Sequence, residues 1–298
     1  TRKESSAASD VYKRQIVDEA NGIIKSDGTT ILGSDDKAGI AAILEGLRYI
    51  NENNIEHTDI QVVFSICEEC GLVGAKNLDY GKIDSEYAFI LDSGGSPGEI
   101  IVKAPAQDVI NVKILGKTAH AGLEPEAGIS AIMVAARAIE NMNLLRIDEE
   151  TTANIGIING GTATNIVTGE VNIIAEARSL KENKLDVQTK HMVETFEKAA
   201  KDFGAQIEID VNRAYTPIDV SEDSEIIKLA KKAFSNLGIE GHTESTGGGS
   251  DTNILSKNGI EAITLGIGMK NAHTLSEHIA IKDLYDSAKM VVEIIKEA

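Results

Sequence analysis

Glu68 and Glu69 stand side by side in "SICEECG", residues 65–71, directly after the apolar run "IQVVF". Adjacent carboxylates repel each other, and partial burial makes ionising either one harder. The pair therefore calls for a compensating cation. Two more acidic clusters and a distant imidazole pair offer to share one: Asp35 and Asp36 in "LGSDDKAGI", Asp92 after "AFIL", and His273, Glu277 and His278 in "NAHTLSEH". Carboxylate oxygens mixed with imidazole nitrogen form a donor set that suits zinc. A carboxylate left free beside such an ion can take a proton from metal-bound water. Taken singly, each residue has a plainer reading: Asp36 before "KAGI" can cap a helix, and a lone histidine is usually structural. Coincidence of several clusters at one edge is what favours the metal.

Other chemistry-bearing patterns are weaker. Cys67 and Cys70 frame the glutamates as C-x-x-C, but no second Cys or His pair follows at zinc-site spacing, so they read as small, reduced, buried side chains. "GGSPG", residues 94–98, formally matches the G-x-S-x-G of a nucleophile elbow. An elbow needs a helix after the serine, whereas "EIIVKAP" reads as strand and Pro97 sits inside the motif. "TGGGSDTN", residues 246–253, allows close backbone approach to a ligand but lacks the "GK[ST]" of a phosphate loop.

The elements that must position these groups alternate between strand and helix. "GIIKSDGTTILGS" reads as a hairpin turning at "SDG", and "DKAGIAAILEGLRYINEN" as a helix whose apolar face is Ile40, Ile43, Leu44 and Leu47. "IQVVFSIC" and "YAFILD" read as buried strands with a short helix, "GLVGAKNL", between them. This is an α/β layer, and in open α/β sheets sites form beyond the carboxyl ends of strands. Across residues 105–214 the order becomes βαββαβ, a ferredoxin-like α+β unit. The segments after it return to the α/β pattern, so a small module is expected to interrupt a larger domain formed by 16–104 and 215–298.

The 298-residue chain is 42% hydrophobic and 26% charged with a net charge of −18, which argues against non-specific nucleic-acid binding. It has no apolar run of membrane-spanning length. Two cysteines and no apolar leader favour a cytoplasmic protein. The opening "TRKESSAASDVYKRQ" lacks periodicity and resembles a translated sequencing-adaptor remnant, so residues 1–15 are expected to be a non-native or disordered tail.

"LGSDDKAGIAAI", "EECGLVGAKNL", "FILDSGG", "GKTAHAGLEPEAGISAI" and "AHTLSEH" together resemble the co-catalytic zinc exopeptidase and deacylase family, which includes peptidase T, zinc carboxypeptidases and aminoacylases. The flavour is closest to peptidase T-like members. The resemblance implies an α/β/α catalytic domain with an inserted lid and dimerisation domain, two zinc ions per subunit, and hydrolysis of short peptides, with a possible homodimer through the lid. Zinc carboxypeptidase or N-acyl amino acid deacylase activity is the alternative within the family. A non-catalytic binding protein on the same fold is the alternative outside it, and so many crowded acids argue against that. Carried onto this sequence, Asp35 would bridge the zinc ions, Glu69 and His273 would complete one site, Asp92 would serve the other, and Glu68 would be the general base. The bond from Asp35 to Asp36 would be cis. His120 would stabilise the oxyanion from the partner subunit, Asn165 and Arg178 would contact the substrate carboxylate, and Gly248 would lie in the substrate loop. One departure stands out. The family's first zinc ligand is a His in an H-x-D motif before the "DDK" stretch, and this chain has no His before His57. The chain is therefore expected to be impaired at that metal position and poorly active.

Overall fold

The computed structural model describes residues 14–298, so most of the expected tail lies outside the described residues. Two compact units emerge. One comprises the chain up to Lys103 with Asp219–Thr246 and Ser250–Ala298; the other is Ala104–Ile218 with Gly247–Gly249. The sequence boundaries at 105 and 214 fall within a few residues of these limits, and the three glycines of the substrate-loop motif group with the second unit.

In chain order the first unit opens with β1 (Gln15–Asp18), β2 (Ile23–Ser26), α1 (Ser34–Asn53), the short α2 (Val73–Lys76), β3 (Tyr87–Ser93) and β4 (Glu99–Ala104). The second unit supplies β5 (Ala106–Leu115), α3 (Ala131–Glu140), β6 (Thr151–Gly160), β7 (Glu170–Ser179), α4 (Glu182–Phe203) and β8 (Gln206–Tyr215). The chain then adds α5 (Glu225–Asn236), β9 (His242–Ser245), α6 (Asp251–Lys257), β10 (Glu261–Gly266), β11 (His278–Ala280) and α7 (Ile281–Glu297).

In the first unit β10 is the central strand, parallel to β3 on one side and antiparallel to β4 on the other, with β9 parallel to β4. Both faces of this sheet are covered, which is why "AITLG" is a continuous apolar run rather than an alternating one. Leu91, Ile263 and Leu265 face a core shared with Phe234 of α5 and Met290 of α7. Ala262 joins Leu255 of α6 on the opposite face, against Ala88 and Ile90. A separate antiparallel sheet runs β1–β2–β11. In the second unit β6, β7, β5 and β8 form one antiparallel sheet. Its inward residues Ile110, Val112, Ile114, Val171 and Ile173 share a core with Leu185, Met192 and Phe196 of α4. Order and packing match the expected βαββαβ unit.

Four local expectations are corrected. The hairpin is β1 with β2, closed by residues 19–22, and "TTILGS" forms no strand. Helix α1 is buried through Ala38, Ala42, Gly46 and Ile50, while Ile40 and Leu44 are 38% and 53% exposed. Small side chains one turn apart let α1 approach α7 closely: a Cβ on Gly46 would stand 2.7 Å from Val291 Cγ1. "IQVVFSIC" is neither strand nor buried; Val63 and Phe64 are 43% and 47% exposed. Its β-branched residues have strand propensity, but no strand among the described residues pairs with it, and a ladder needs a partner. Cys67 and Cys70 are exposed free thiols rather than buried ones.

Candidate metal centre

Asp35 reaches the centre from the start of α1. Gly33, the residue before the helix, is left-handed at φ 72°, and Asp35 (φ −82°, ψ 109°) departs from helical geometry. The chain thus turns sharply enough to point the Asp35 carboxylate out of the helix end. The Asp35–Asp36 peptide is cis. Glu68 and Glu69 lie on a single 3₁₀ turn, Glu68–Cys70, closed by Gly71 N–H donating to Glu68 O at 3.0 Å. That turn, not a strand tip, is what carries the acidic pair. Asp92 sits near the end of β3, and His273 lies in the turn before β11 with φ 64°.

These loops converge. His273 Nε2 lies 2.8 Å from Asp35 Oδ2 and 2.7 Å from Glu69 Oε1. The candidate ligand atoms of Asp35, Glu69 and His273 all fall within 4.8 Å of one another, the one such group among the described residues. His278 is elsewhere: its Nδ1 contacts Ser276 O at 2.9 Å. Burial opposes a charge on His273, yet the Glu69 and Asp35 carboxylates outweigh it and hold the imidazole above its ordinary pKa. In the metal-free chain the two acids thus favour the protonated form of the imidazole between them.

The acids behind this trio are less well compensated. Burial, with Asp36, Asp35, Glu68 and Asp251 adding like charge, pushes Asp92 up to about 9. Burial and the Asp35 and Glu68 carboxylates push Asp36 up to about 8, against a hydrogen bond from Gly39 N–H. Burial, then Glu69, Asp251 and Asp35, push Glu68 up to about 7, with His273 pulling the other way. Asp92 is not in the close trio, and no imidazole joins it there among the described residues.

Two residues gain a place that their sequence neighbourhood did not assign. Asp251 opens α6 directly after the glycine-rich stretch. It accepts a hydrogen bond from Ser65 Oγ through Oδ2, while its Oδ1 is buried without a partner. Burial raises its pKa. The signal was an aspartate at the end of "TGGGSD", overshadowed by the glycines. Glu277, grouped in the sequence with His273 and His278 as a possible partner of the cation, is instead 1% exposed and accepts from Gly33 N–H at 2.8 Å, Ser34 Oγ at 2.6 Å and Asp35 N–H at 3.1 Å. Burial works against its charge, but these donors hold the carboxyl below its usual range.

Gly39 sits tightly against the Asp36 carboxylate and β3. A Cβ there would stand 2.5 Å from both Asp36 Oδ1 and the Leu91 carbonyl oxygen. Gly39→Ala is therefore expected to destabilise the fold by about 1–3 kcal/mol through overpacking, read as a shifted urea midpoint. An unchanged midpoint would show that Asp36 and β3 yield freely.

The second unit holds the other candidates. His120 is exposed and bridges antiparallel to Ile166, next to Asn165, whose carbonyl accepts from Ala121 N–H at 2.9 Å. His120 and Asn165 are thus neighbours. Arg178 Nη1 donates to Gly247 O at 3.3 Å, reaching the loop that contains Gly248. Its fork is engaged by Glu176 through Nε at 3.2 Å and Nη2 at 3.0 Å, so a substrate carboxylate would have to share or displace that pairing. "GGSPG" leads from β3 into β4 with no helix after Ser96, as its flanking residues imply.

The sequence matches Peptidase family M20/M25/M40 over residues 23–297. The chain belongs to that family. Among relatives of the M20/M25/M40 chain, the uncharacterized protein YqjE of Bacillus subtilis is 48% identical over 278 residues, 93% of this chain and 75% of that one. The structure of aminopeptidase PepT from Bacillus cereus is similar at 46% identity and a TM-score of 0.83, covering 93% of this chain and 74% of that one. A tripeptidase from Staphylococcus aureus is similar at 45% identity and a TM-score of 0.90, covering 95% and 75%. This M20/M25/M40 chain therefore spans about three-quarters of each, and its mixed α/β fold matches theirs.

Proposed function

We propose that this chain is a zinc-dependent metallopeptidase that cleaves the amide bond of short peptides, of tripeptide aminopeptidase type. The observation that carries the reading is the Asp35, Glu69 and His273 trio, with ligand atoms within 4.8 Å and Glu68 adjoining it in sequence. One imidazole nitrogen and two carboxylate oxygens make a donor set that fits zinc. The orphaned Asp251 oxygen and the raised Asp92 and Asp36 mark a place short of positive charge. A second zinc would take Asp35 and Asp92, which belong to no second close group of three ligand atoms among the described residues. The names of the similar aminopeptidase and tripeptidase support the substrate class.

Zinc, when bound, supplies a Lewis acid that polarises the scissile carbonyl and makes water a nucleophile near neutral pH. Glu68, beside the trio in sequence but not part of it, accepts the water proton and returns it to the leaving amine. In the second unit, assigned here as lid and dimerisation domain, His120 serves as oxyanion donor to the partner subunit's site, a contribution of about 3 kcal/mol. Asn165, Arg178 and the Gly248 loop serve the substrate carboxylate. Arg178 suits that task because its planar fork can pair bidentately. A cytoplasmic location fits the composition, and no helix among the described residues is long and apolar enough to cross a membrane.

Treatment with a chelator is expected to abolish the low hydrolysis of a free tripeptide that this chain retains, and added zinc to restore it to that low level; full turnover would overturn the expected impairment. Turnover indifferent to chelator would overturn the metal reading. An N-acetylated tripeptide is expected to resist cleavage; its preferred cleavage would favour deacylase chemistry instead.

A further inference from the structure

Gly33, at the start of α1, has no side chain to cap it; past the non-helical Asp35 and Asp36, the Asp36 carboxylate caps the regular helix by accepting from Gly39 N–H at 3.2 Å, which leaves the Gly33–Asp35 donors to another residue. Helix N-termini leave several backbone N–H groups without intrahelical partners. Here a residue more than 240 positions away provides the acceptor: Glu277 takes Gly33 N–H on one oxygen and both Ser34 Oγ and Asp35 N–H on the other. Glu277 belongs to the same turn as His273, which is closed by Thr274 N–H to Asn271 O and Glu277 N–H to Thr274 O, each 3.2 Å. Both ends of the Asp35–His273 pair rest on unusual backbone, His273 at φ 64° and Asp35 after a left-handed glycine, so neither is aimed by regular secondary structure. The carboxylate that joins the two loops is fully buried and does not face the trio's open side; His273 and Glu69 are 63% and 61% exposed in their side chains.

We propose that Glu277 is a positioning residue that fixes the spacing of Asp35 and His273 as a metal-ligand pair, by clamping the Gly33–Asp35 segment onto the His273 turn, without itself binding metal or substrate. This rests on the metal reading above. A carboxylate suits the task because all three of its partners are donors. Glutamine in its place keeps the volume but turns an amide N–H₂ toward one of them, donor against donor, and the loops must part to relieve it. Partners that orient ligands commonly set metal affinity over a 10–100-fold range.

The test is Co²⁺ titration of the full chain, reading the dissociation constant by chelator competition and the visible ligand-field bands, with circular dichroism and melting as controls on folding. Glu277→Gln is expected to weaken Co²⁺ binding by about 10–100-fold and to alter the bands. Ser34→Ala, which removes one donor and leaves the charge, is expected to weaken binding several-fold in the same direction. Parental affinity and spectrum in a folded Glu277→Gln variant overturn the proposal. Should that variant fail to fold, Ser34→Ala decides, and unchanged affinity there overturns it. A parent chain that binds no Co²⁺ overturns the metal reading itself, and the clamp as a metal-positioning device falls with it.

Discussion

Glu68→Gln is expected to cut tripeptide turnover by about 10²–10⁴-fold while metal uptake stays at the parental level. The two halves of this result separate the roles of two adjacent glutamates. Glu69 is the one whose oxygen lies 2.7 Å from His273 Nε2; Glu68 is absent from the trio. Burial and the neighbouring acids push Glu68 up to about 7 in the metal-free chain, whereas Glu69 is the acid in contact with His273. Glutamine preserves shape and one acceptor oxygen but cannot accept the proton. It also removes a like charge from Asp92 and Asp36, which eases their ionisation and offsets the lost attraction of Glu68 for the cation. Turnover and bound metal are measured on the same preparation. Retained turnover would reassign the base, and loss of metal together with turnover would make Glu68 a ligand. Glu69→Gln is the useful contrast, because there the metal is expected to go first.

The fold was legible wherever one segment's own pattern decides its state. The alternation in "DVINVKILGK" and "GEVNIIAEARSL" and the long amphipathic run of α4 are enough to give the antiparallel sheet and its helix, because each buries one face within its own unit. Failures came where burial depends on a partner that the segment does not specify. "IQVVF" has the composition of a buried strand, yet no ladder partner meets it among the described residues. The large apolar residues of α1 suggested Ile40 and Leu44 as the buried face, whereas close approach to α7 selected Ala38, Ala42 and Gly46.

At the site, residue types with motif order pointed to Asp35, Glu69 and His273, and the geometry brings those three together. Sequence carries no information on a buried oxygen without a partner, which is what distinguishes Asp251, nor on donors gathered from 240 residues away, which is what distinguishes Glu277. Both properties belong to the tertiary arrangement. Arg178 illustrates the same limit from the other side: its type and place fit a carboxylate contact, but Glu176, two residues away on the same strand, already engages its fork.

The metal-free chain is expected to lose stability as pH rises from about 5 to about 9, and metal is expected to cancel that loss. Asp92 and Asp36 are raised from 3.8 to about 9 and about 8, and Glu68 from 4.5 to about 7. Between the unfolded and folded values of each group, the folded chain binds more protons than the unfolded chain. Unfolding free energy must then fall as pH increases. His273 acts in the same direction: its folded pKa lies above 6.5, so the stability it gains from Asp35 and Glu69 is present below that value and is lost as pH rises through the folded one. Glu277 has the opposite sign, since its lowered pKa adds stability above 4.5 that disappears only on acidification. The decline through neutral pH is therefore set by the crowded acids and the imidazole together. A bound dication replaces the protons these groups would otherwise retain, and ligation needs His273 neutral, so metal uptake releases protons and strengthens with pH. Stabilisation by ligand follows occupancy, about 2.7 kcal/mol at a hundredfold excess over the dissociation constant. Thermal melts of chelator-treated protein should thus fall steadily from pH 5 to pH 9, and added zinc should raise the melting temperature more at pH 8 than at pH 6. Apo stability that holds level or climbs across that window would mean that Asp36, Asp92 and Glu68 ionise there without penalty. The acid cluster would then have no unmet need for a cation.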